Sequence, residues 1–335
     1  MILILVGLLF VAGVFAVLGF GLYLVRPADE SASDQLVVIQ AGMSLNRVAE
    51  ALQERDIIAS KELFMLWARL MGASKQIKSG EYRLSGRMPP VEVLEILTTG
   101  RIISHPVTIP EGLNRVQIAE LLDKRGLVNK DDFLDLTENP GVVRQYGLSG
   151  PTLEGYLYPD TYFFGRGVAP ALIVDTMVRR FQQVFSPLKK KAEELDMSVE
   201  KIITLASIVE KETGQGKERP LIASVFLNRL KKKMRLESDP TVIYGMKAFS
   251  GNLKKKDLAT PSPYNTYVIR GLPPGPIANP GLASIRAVLY PAKTDYLYFV
   301  SKNDGTHYFS RTLIEHNRAV NKYQRKRRRS RRKST

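Results

Sequence analysis

The sequence predicts an α+β chain: one membrane-spanning helix at the N-terminus, then small strand-helix units, then a mainly helical region closed by a β-hairpin. Three observations carry this reading. Residues 2–25 contain no charge, a strand-glycine-helix pattern occurs twice with a spacing of 70 positions, and an apolar helix around Ile202–Val209 ends in two carboxylates. The 335 residues suffice for about two domains, and 44% hydrophobic residues suffice for real cores.

The first element reads ILILVGLLFVAGVFAVLGFGLYLV, Ile2 to Val25. About 20 apolar residues span the hydrocarbon core of a bilayer. A cleaved signal is the competing reading, but this run exceeds the usual length of about 7 to 15 apolar residues and no basic segment precedes it. Residues 1–25 are therefore expected to be an anchor in the lipid bilayer, and 26–36, with Asp29, Glu30 and Asp34, a linker.

Beyond the linker, Ile39, Gly42, Val48, Ala49, Glu50, Leu52 and Arg55 recur as Ile109, Gly112, Ile118, Ala119, Glu120, Leu122 and Arg125. Each copy reads as a short strand, a glycine turn and an amphipathic helix. Ser79 to Leu84 adds a strand, and Val91 to Thr99 a helix stopped by Gly100. Two copies are too few for a solenoid. The pattern over 37–130 resembles a LysM-like module, whose known members bind aminosugar polymers; a packing unit without ligand fits the pattern equally.

From Asp131 the chain turns helical, then reaches LEGYLYPDTYFF, Leu153 to Phe164, with Glu154 among five aromatics. This run suits a core strand and turn with an exposed rim, although aromatic faces also stack on sugar rings. Helices are expected over Ala171–Phe185, Leu188–Leu195 and Leu221–Leu230, with a short one after the turn at Arg235–Asp239. Thr260 to Gly281 is too rich in Pro and Gly for a helix, and its neutral hydrogen-bonding side chains suit a cleft for a polyhydroxylated ligand. Ala283–Leu289 is a further helix, and Tyr296–Ser310 a hairpin turning at Asn303-Asp304-Gly305.

The chemistry concentrates where Ile202–Val209 ends in Glu210, Lys211 and Glu212. At about 100° per residue both acids border the apolar face while Lys211 points away. Thr213 and Gly214 follow, and glycine is the usual helix stop. A carboxyl desolvated there holds its proton at neutral pH, as a general acid must. Negative charge at a helix C-terminus also needs compensation, for which Lys217, Arg219, Arg229 and Arg235 are candidates. A Glu-Lys-Glu run at a helix C-terminus is, taken alone, most often just a solvated end.

Other chemistries recede. There is no cysteine and only three histidines, so thiolate catalysis and cysteine-bound zinc are excluded, and no metal or cofactor is expected. Much of the net charge of +16 lies in the terminal run from Arg325, so 324–335 reads as a disordered basic tail. Without groove-reading motifs or interleaved aromatics, nucleic acid is not the expected partner.

Several blocks in order, SGEYRL, VLEILTTGR, LEGYLYPDTY, SIVEKET, SVFLNRL, MRLESDPTVIYG, TPSPYNTY and GLPPGPIANPG, with His316-Asn317 after the hairpin, closely resemble the MltG/YceG-like endolytic murein transglycosylases. The resemblance runs from about Val37 to Tyr323 and leaves the basic tail unmatched. It implies a single-pass protein of the inner (cytoplasmic) membrane with its body in the periplasm or otherwise outside. That body would hold a LysM-like subdomain and, over 131–323, a mainly helical lysozyme-like catalytic domain. It also implies Glu212 as the catalytic residue of a lytic transglycosylase, a carbon-oxygen lyase acting on the MurNAc-GlcNAc β-1,4 bond of peptidoglycan. The products would be 1,6-anhydro-MurNAc ends that terminate nascent glycan strands.

Glu210 is then expected to tune or position Glu212, with Asp239, Tyr244, Tyr264, Asn265 and Tyr267 lining the cleft. Expected partners are peptidoglycan glycan strands and membrane-bound peptidoglycan synthases. Two alternatives stay open: a muramidase-type hydrolase with Glu210 or Glu154 as second carboxylate, and a non-catalytic peptidoglycan-binding protein.

Overall fold

The computed structural model describes residues 2–246 and 248–325. In chain order its elements are α1 (Ile2–Val25), β1 (Gln35–Ile39), α2 (Leu45–Gln53), α3 (Lys61–Leu70), β2 (Gly80–Leu84), α4 (Pro90–Thr99), β3 (His105–Thr108) and α5 (Arg115–Lys124). There follow α6 (Lys130–Glu138), α7 (Pro140–Gln145), β4 (Thr161–Phe164), α8 (Pro170–Phe185), α9 (Lys189–Glu194), α10 (Val199–Glu212) and α11 (Arg219–Lys231). The chain ends with α12 (Asp239–Gly245), α13 (Lys255–Leu258), α14 (Leu282–Leu289), β5 (Tyr298–Ser301), β6 (His307–Ser310) and α15 (Leu313–Val320). The strands pair two by two, β1 with β2, β3 with β4 and β5 with β6, so the chain is mixed and mostly helical. The expected disordered basic tail, 324–335, lies outside the described residues except at its start: Gln324 and the backbone of Arg325 belong to a helical turn, Asn321–Arg325, and Gln324 Nε2 donates to the Ser301 carbonyl at 2.9 Å.

The fold divides into two compact units. Unit 1 comprises Met1–Val107, Leu122–Asn129 and Tyr162–Ile173; unit 2 comprises Thr108–Leu121, Lys130–Thr161 and Val174–Thr335. The second repeat copy is shared between them, Thr108–Leu121 grouping with unit 2 and Leu122–Asn129 with unit 1.

In unit 1, α1 is uncharged and long enough to cross a membrane, with a mean hydropathy of 2.6 over Ile4–Val25, a property shared with signal sequences. β1 and β2 run antiparallel with Val37 opposite Tyr82 and Ile39 opposite Gly80. Val37, Ile39, Tyr82 and Leu84 face the core, while Leu36 and Val38 point outward as the strand period requires. Val48, Ala49 and Leu52 of α2 cover that sheet from one side of a helix capped by Ser44.

The internal repeat is real in three dimensions. Gly42 and Gly112 both turn at φ 79°, a left-handed conformation that favours glycine, and a helix begins three residues later in each copy. The paired positions Ile39 and Ile109, Val48 and Ile118, Ala49 and Ala119, and Leu52 and Leu122 are all buried.

Unit 2 is organised around α10. Ser198 caps its N-terminus, accepting from the Lys201 N–H at 3.3 Å, and Ile202 through Val209 are all buried. A helix apolar on every side must be surrounded, and α11, α12 and α14 pack against this one. Each fully buried Ile, Leu or Val there contributes about 1.5–3 kcal/mol. The Pro- and Gly-rich stretch is pinned to the same helix: Ser207 Oγ accepts from the Ile277 N–H at 3.0 Å and donates to the Thr204 carbonyl at 2.7 Å. Leu153, Tyr156, Leu157 and Tyr158 are buried in the core, so this stretch of the aromatic run packs inside rather than forming a sugar-stacking wall.

One glycine in this core allows a sharp test. Gly155 sits at φ 86°, and a Cβ there would lie 2.5 Å from Pro276 Cγ and 2.8 Å from Ile203 Cγ2. Gly155→Ala should therefore cost roughly 2–4 kcal/mol from backbone strain and overpacking together. Gly42→Ala, where no atom lies within 4 Å of the added Cβ, should cost only about 1 kcal/mol. Urea unfolding of both variants checks the contrast; equal losses would contradict it.

Candidate active site

The last turn of α10 carries the carboxyl of Glu212 to the edge of the unit 2 core. The expected left-handed glycine stop at Gly214 does not occur. Thr213 instead leaves the helix extended, at φ −145° and ψ 135°. Thr213 is β-branched and buried, which suits extended backbone, and its Oγ1 accepts from the Gln215 N–H at 2.9 Å. Burial pushes the Glu212 carboxyl up to about 7, and the nearby Asp239 charge adds to the rise. A hydrogen bond from the Ser238 hydroxyl and the charge of Arg229 oppose it.

Ser238 occupies the N-cap position of α12, where a serine side chain ordinarily accepts from the helix's own first-turn N–H groups. Here it makes no such bond and donates to Glu212 Oε1 instead. The loop before it is held by Arg229, a buried side chain of α11. Its Nε donates to the Leu297 carbonyl at 2.6 Å, and Nη1 donates to the Leu236 carbonyl at 2.8 Å and to Glu237 Oε2 at 3.1 Å. Its guanidinium also lies 5.1 Å from the Tyr298 ring centre, and that ring stacks on His316. Glu237 stands at φ 51°, a strained conformation that these contacts over-determine. Thr266 completes the brace, its Oγ1 accepting from the Ser238 N–H at 3.0 Å.

A second buried carboxyl belongs to the same unit. Glu154 is 2% exposed and lies in a nest of donors: the Arg115 N–H at 3.1 Å, Asn279 Nδ2 at 3.0 Å and the Tyr244 hydroxyl at 3.1 Å. Burial raises this carboxyl also to about 7, against the pull of those donors. Asn279 ties the arrangement to the chain on either side, its Oδ1 accepting from the Leu157 N–H at 2.9 Å and its Nδ2 donating to the Leu113 carbonyl at 2.9 Å.

The residues singled out in the sequence separate into four places. Asp239 and Tyr267 accompany Glu212, with the Tyr267 hydroxyl donating to Asp239 Oδ1 at 2.7 Å. Tyr244 and Tyr264 belong to the Glu154 nest, their ring centres 4.8 Å apart. Asn265 is 1% exposed; its Nδ2 donates to the carbonyls of Leu258 at 3.1 Å and Thr260 at 2.8 Å, bracing its own loop. It borders an open cavity of about 440 Å³ beside α12, together with Val242, Met246 and Ser262. Glu210 accepts from Arg219 Nη2 at 2.8 Å and from the Gly281 N–H at 3.1 Å, so both its oxygens are engaged away from Glu212.

Sequence reading missed Ser238 and Asn279. The only local signal for Ser238 was a cap-type residue directly before Asp-Pro, and that signal suggests a helix start rather than a partner 26 positions away. Asn279 gave no signal beyond its place in the Pro- and Gly-rich stretch, because its partners lie on two distant segments, 112–113 and 154–157.

The chain matches the YceG-like family model over residues 37–322. It is 36% identical over 324 residues to the endolytic murein transglycosylase of Bacillus subtilis strain 168, covering 91% of this chain and 89% of that protein. It is also 28% identical to the endolytic murein transglycosylase of Streptococcus pneumoniae strain D39, covering 88% of this chain and 59% of that longer protein. The crystal structure of a yceG-like protein from Listeria monocytogenes superposes with a TM-score of 0.60 at 36% identity, covering 86% of this chain and all of the other. Family match, sequence relatives and solved structure agree, and the chain belongs to the YceG-like family.

Proposed function

We propose that this protein is a membrane-anchored lytic transglycosylase that cuts the β-1,4 bond between MurNAc and GlcNAc within peptidoglycan strands. The observation that carries the reading is Glu212 itself: a carboxyl at a helix end whose surroundings hold it near neutral affinity for its proton. Likeness to two endolytic murein transglycosylases supports the substrate.

The chemistry follows from one acid. Neutral Glu212 gives its proton to the glycosidic oxygen as the bond to C1 of MurNAc breaks and positive charge spreads over the ring. The carboxylate left behind is stabilised by the Ser238 hydroxyl and the Arg229 charge. It then takes the proton from the C6 hydroxyl of the same MurNAc, whose oxygen attacks C1 and closes the 1,6-anhydro ring. The nucleophile is already part of the substrate, so neither water nor a second carboxylate need be positioned. The two acids considered as a second carboxylate, Glu154 and Glu210, have their oxygens engaged by protein donors. Asp239, beside Glu212, is the carboxylate through which a hydrolase would have to work.

Residues 2–25 are read as the anchor, with the body outside the cytoplasmic membrane, where nascent strands and the synthases that make them are found. The strand-helix pairing of unit 1 supports a LysM-like glycan-binding role, and the helical surround of α10 supports a lysozyme-like catalytic role for unit 2. Cutting nascent strands would end their elongation.

Digestion of purified peptidoglycan with the full-length protein, followed by mass spectrometry, tests the reading. Anhydro-muramyl ends are expected, and Glu212→Gln should lower their formation by about 10²–10⁴-fold. Reducing ends, one water heavier, would indicate a muramidase, and equal activity in the variant would remove Glu212 from the reaction.

Two further substitutions should move the pH profile in opposite directions. Because the acid must be protonated, kcat/KM should fall as pH rises through about 7. Ser238→Ala removes a bond that favours the carboxylate, so the fall should shift to higher pH, with about tenfold lower rate from lost positioning. Asp239→Asn removes a repelling charge and should shift it to lower pH. Shifts of the same sign in both variants would contradict this electrostatic arrangement.

A further inference from the structure

The outer side of α3 has an apolar surface that the core of unit 1 does not use. On a helical wheel at about 100° per residue, Leu66, Leu70, Leu63, Trp67, Met71, Phe64 and Ala68 follow one another around the helix. Only Phe64 and Ala68 are fully buried. Leu66, Leu70 and Met71 are 44%, 66% and 56% exposed, and the exposed bases Arg69 and Lys75 flank them.

This surface continues directly into α1. Trp67, the one tryptophan of the chain, meets Phe20 edge to face with ring centres 6.5 Å apart. The Tyr23 hydroxyl donates to the carbonyl of Ser60, the N-cap of α3, at 2.8 Å. The α1 side chains Phe20, Tyr23 and Leu24 are partly covered on this side, while Phe15, Leu18 and Leu22 stay exposed. Phe20 precedes the end of α1 by five residues, about 7–8 Å at the helical rise. A span that reaches the bilayer surface at Val25 therefore brings Trp67 to the boundary between headgroups and acyl chains, where tryptophan and amphipathic helices reside.

We propose that α3 is a second membrane contact: its Leu66, Leu70 and Met71 face enters the interfacial layer of the bilayer from which α1 emerges, with Arg69 and Lys75 at headgroup level. The proposal rests on reading α1 as a retained anchor. Its occupant is phospholipid rather than a protein, because the exposed patch adjoins the one segment already expected to sit in lipid. Two contacts would hold unit 1 in a fixed orientation on the membrane, where a lone span would leave it free to swivel.

The absence of cysteine makes the test direct. Full-length protein carrying a nitroxide at Leu70→Cys is reconstituted into phospholipid vesicles and relaxed with oxygen, which concentrates in lipid, or with a water-soluble nickel chelate. Phe15→Cys in α1 and Arg83→Cys on β2 serve as lipid and water references. Oxygen should dominate at Leu70 as at Phe15, and nickel at Arg83. Unmodified Trp67 should also lose about half its emission or more in vesicles brominated high on the acyl chain, as an interfacial ring would. A Leu70 label that favours nickel, or is shielded from both agents, with Phe15 still in lipid, would overturn the α3 contact alone. A Phe15 label outside lipid would overturn the anchor and the α3 contact with it.

Discussion

Eight consecutive buried residues of α10 set the terms for unit 2. A helix apolar on all sides has to be enclosed, and α11, α12 and α14 pack around it. The enclosure ends at Val209, and less than a turn later the half-buried Glu212 lies where core gives way to solvent. A carboxyl in deep core would be sealed from substrate, and one in open water would be ionised at neutral pH. The boundary position gives both access and a proton held to about pH 7.

The surrounding architecture refines that position with parts drawn from distant segments. Arg229 on α11 grips the loop that precedes α12, and the loop presents Ser238 to Glu212. Asp239 opens α12 and pushes the Glu212 proton affinity upward, while Ser238 and Arg229 pull it down. Burial is the main cause of the rise, and these opposed influences adjust it around neutrality, which suits a group proposed both to give and to take a proton. The Glu154 nest has another character: a carboxyl almost fully buried, satisfied by Arg115, Asn279 and Tyr244, and joining three segments of unit 2. It reads as a structural junction rather than a reacting group.

Much of this was legible in the sequence wherever local periodicity encodes the structure. The uncharged span, the repeated strand-glycine-helix, the Gly100 stop and the hairpin at Asn303-Asp304-Gly305 all depend on short-range rules, and the structure follows them. The end of α10 at Glu212 was legible for the same reason, although the helix stops through extended Thr213 and not through a left-handed glycine. Long-range hydrogen bonds were not legible. Nothing local distinguishes a serine that caps its own helix from Ser238, which serves Glu212, or shows that the Gly281 N–H holds Glu210, whereas Arg219, a candidate for compensating charge at this helix end, does pair with Glu210. Asn265, which suits a sugar-binding loop by composition, spends its amide on that loop's own carbonyls. The grouping of Thr108–Leu121 with unit 2 likewise depends on packing that a repeat pattern does not record.

The central claim is that Glu212 is a neutral acid under working conditions, and its titration measures this without reference to any product. Carbon-13 carboxyl resonances of the glutamates, followed across pH and assigned by the signal missing in Glu212→Gln, would give its midpoint directly. A midpoint of about 7 is expected. A midpoint near that of an ordinary glutamate, about 4.3, would mean that the carboxyl is ionised when substrate arrives, and the general-acid account would fail.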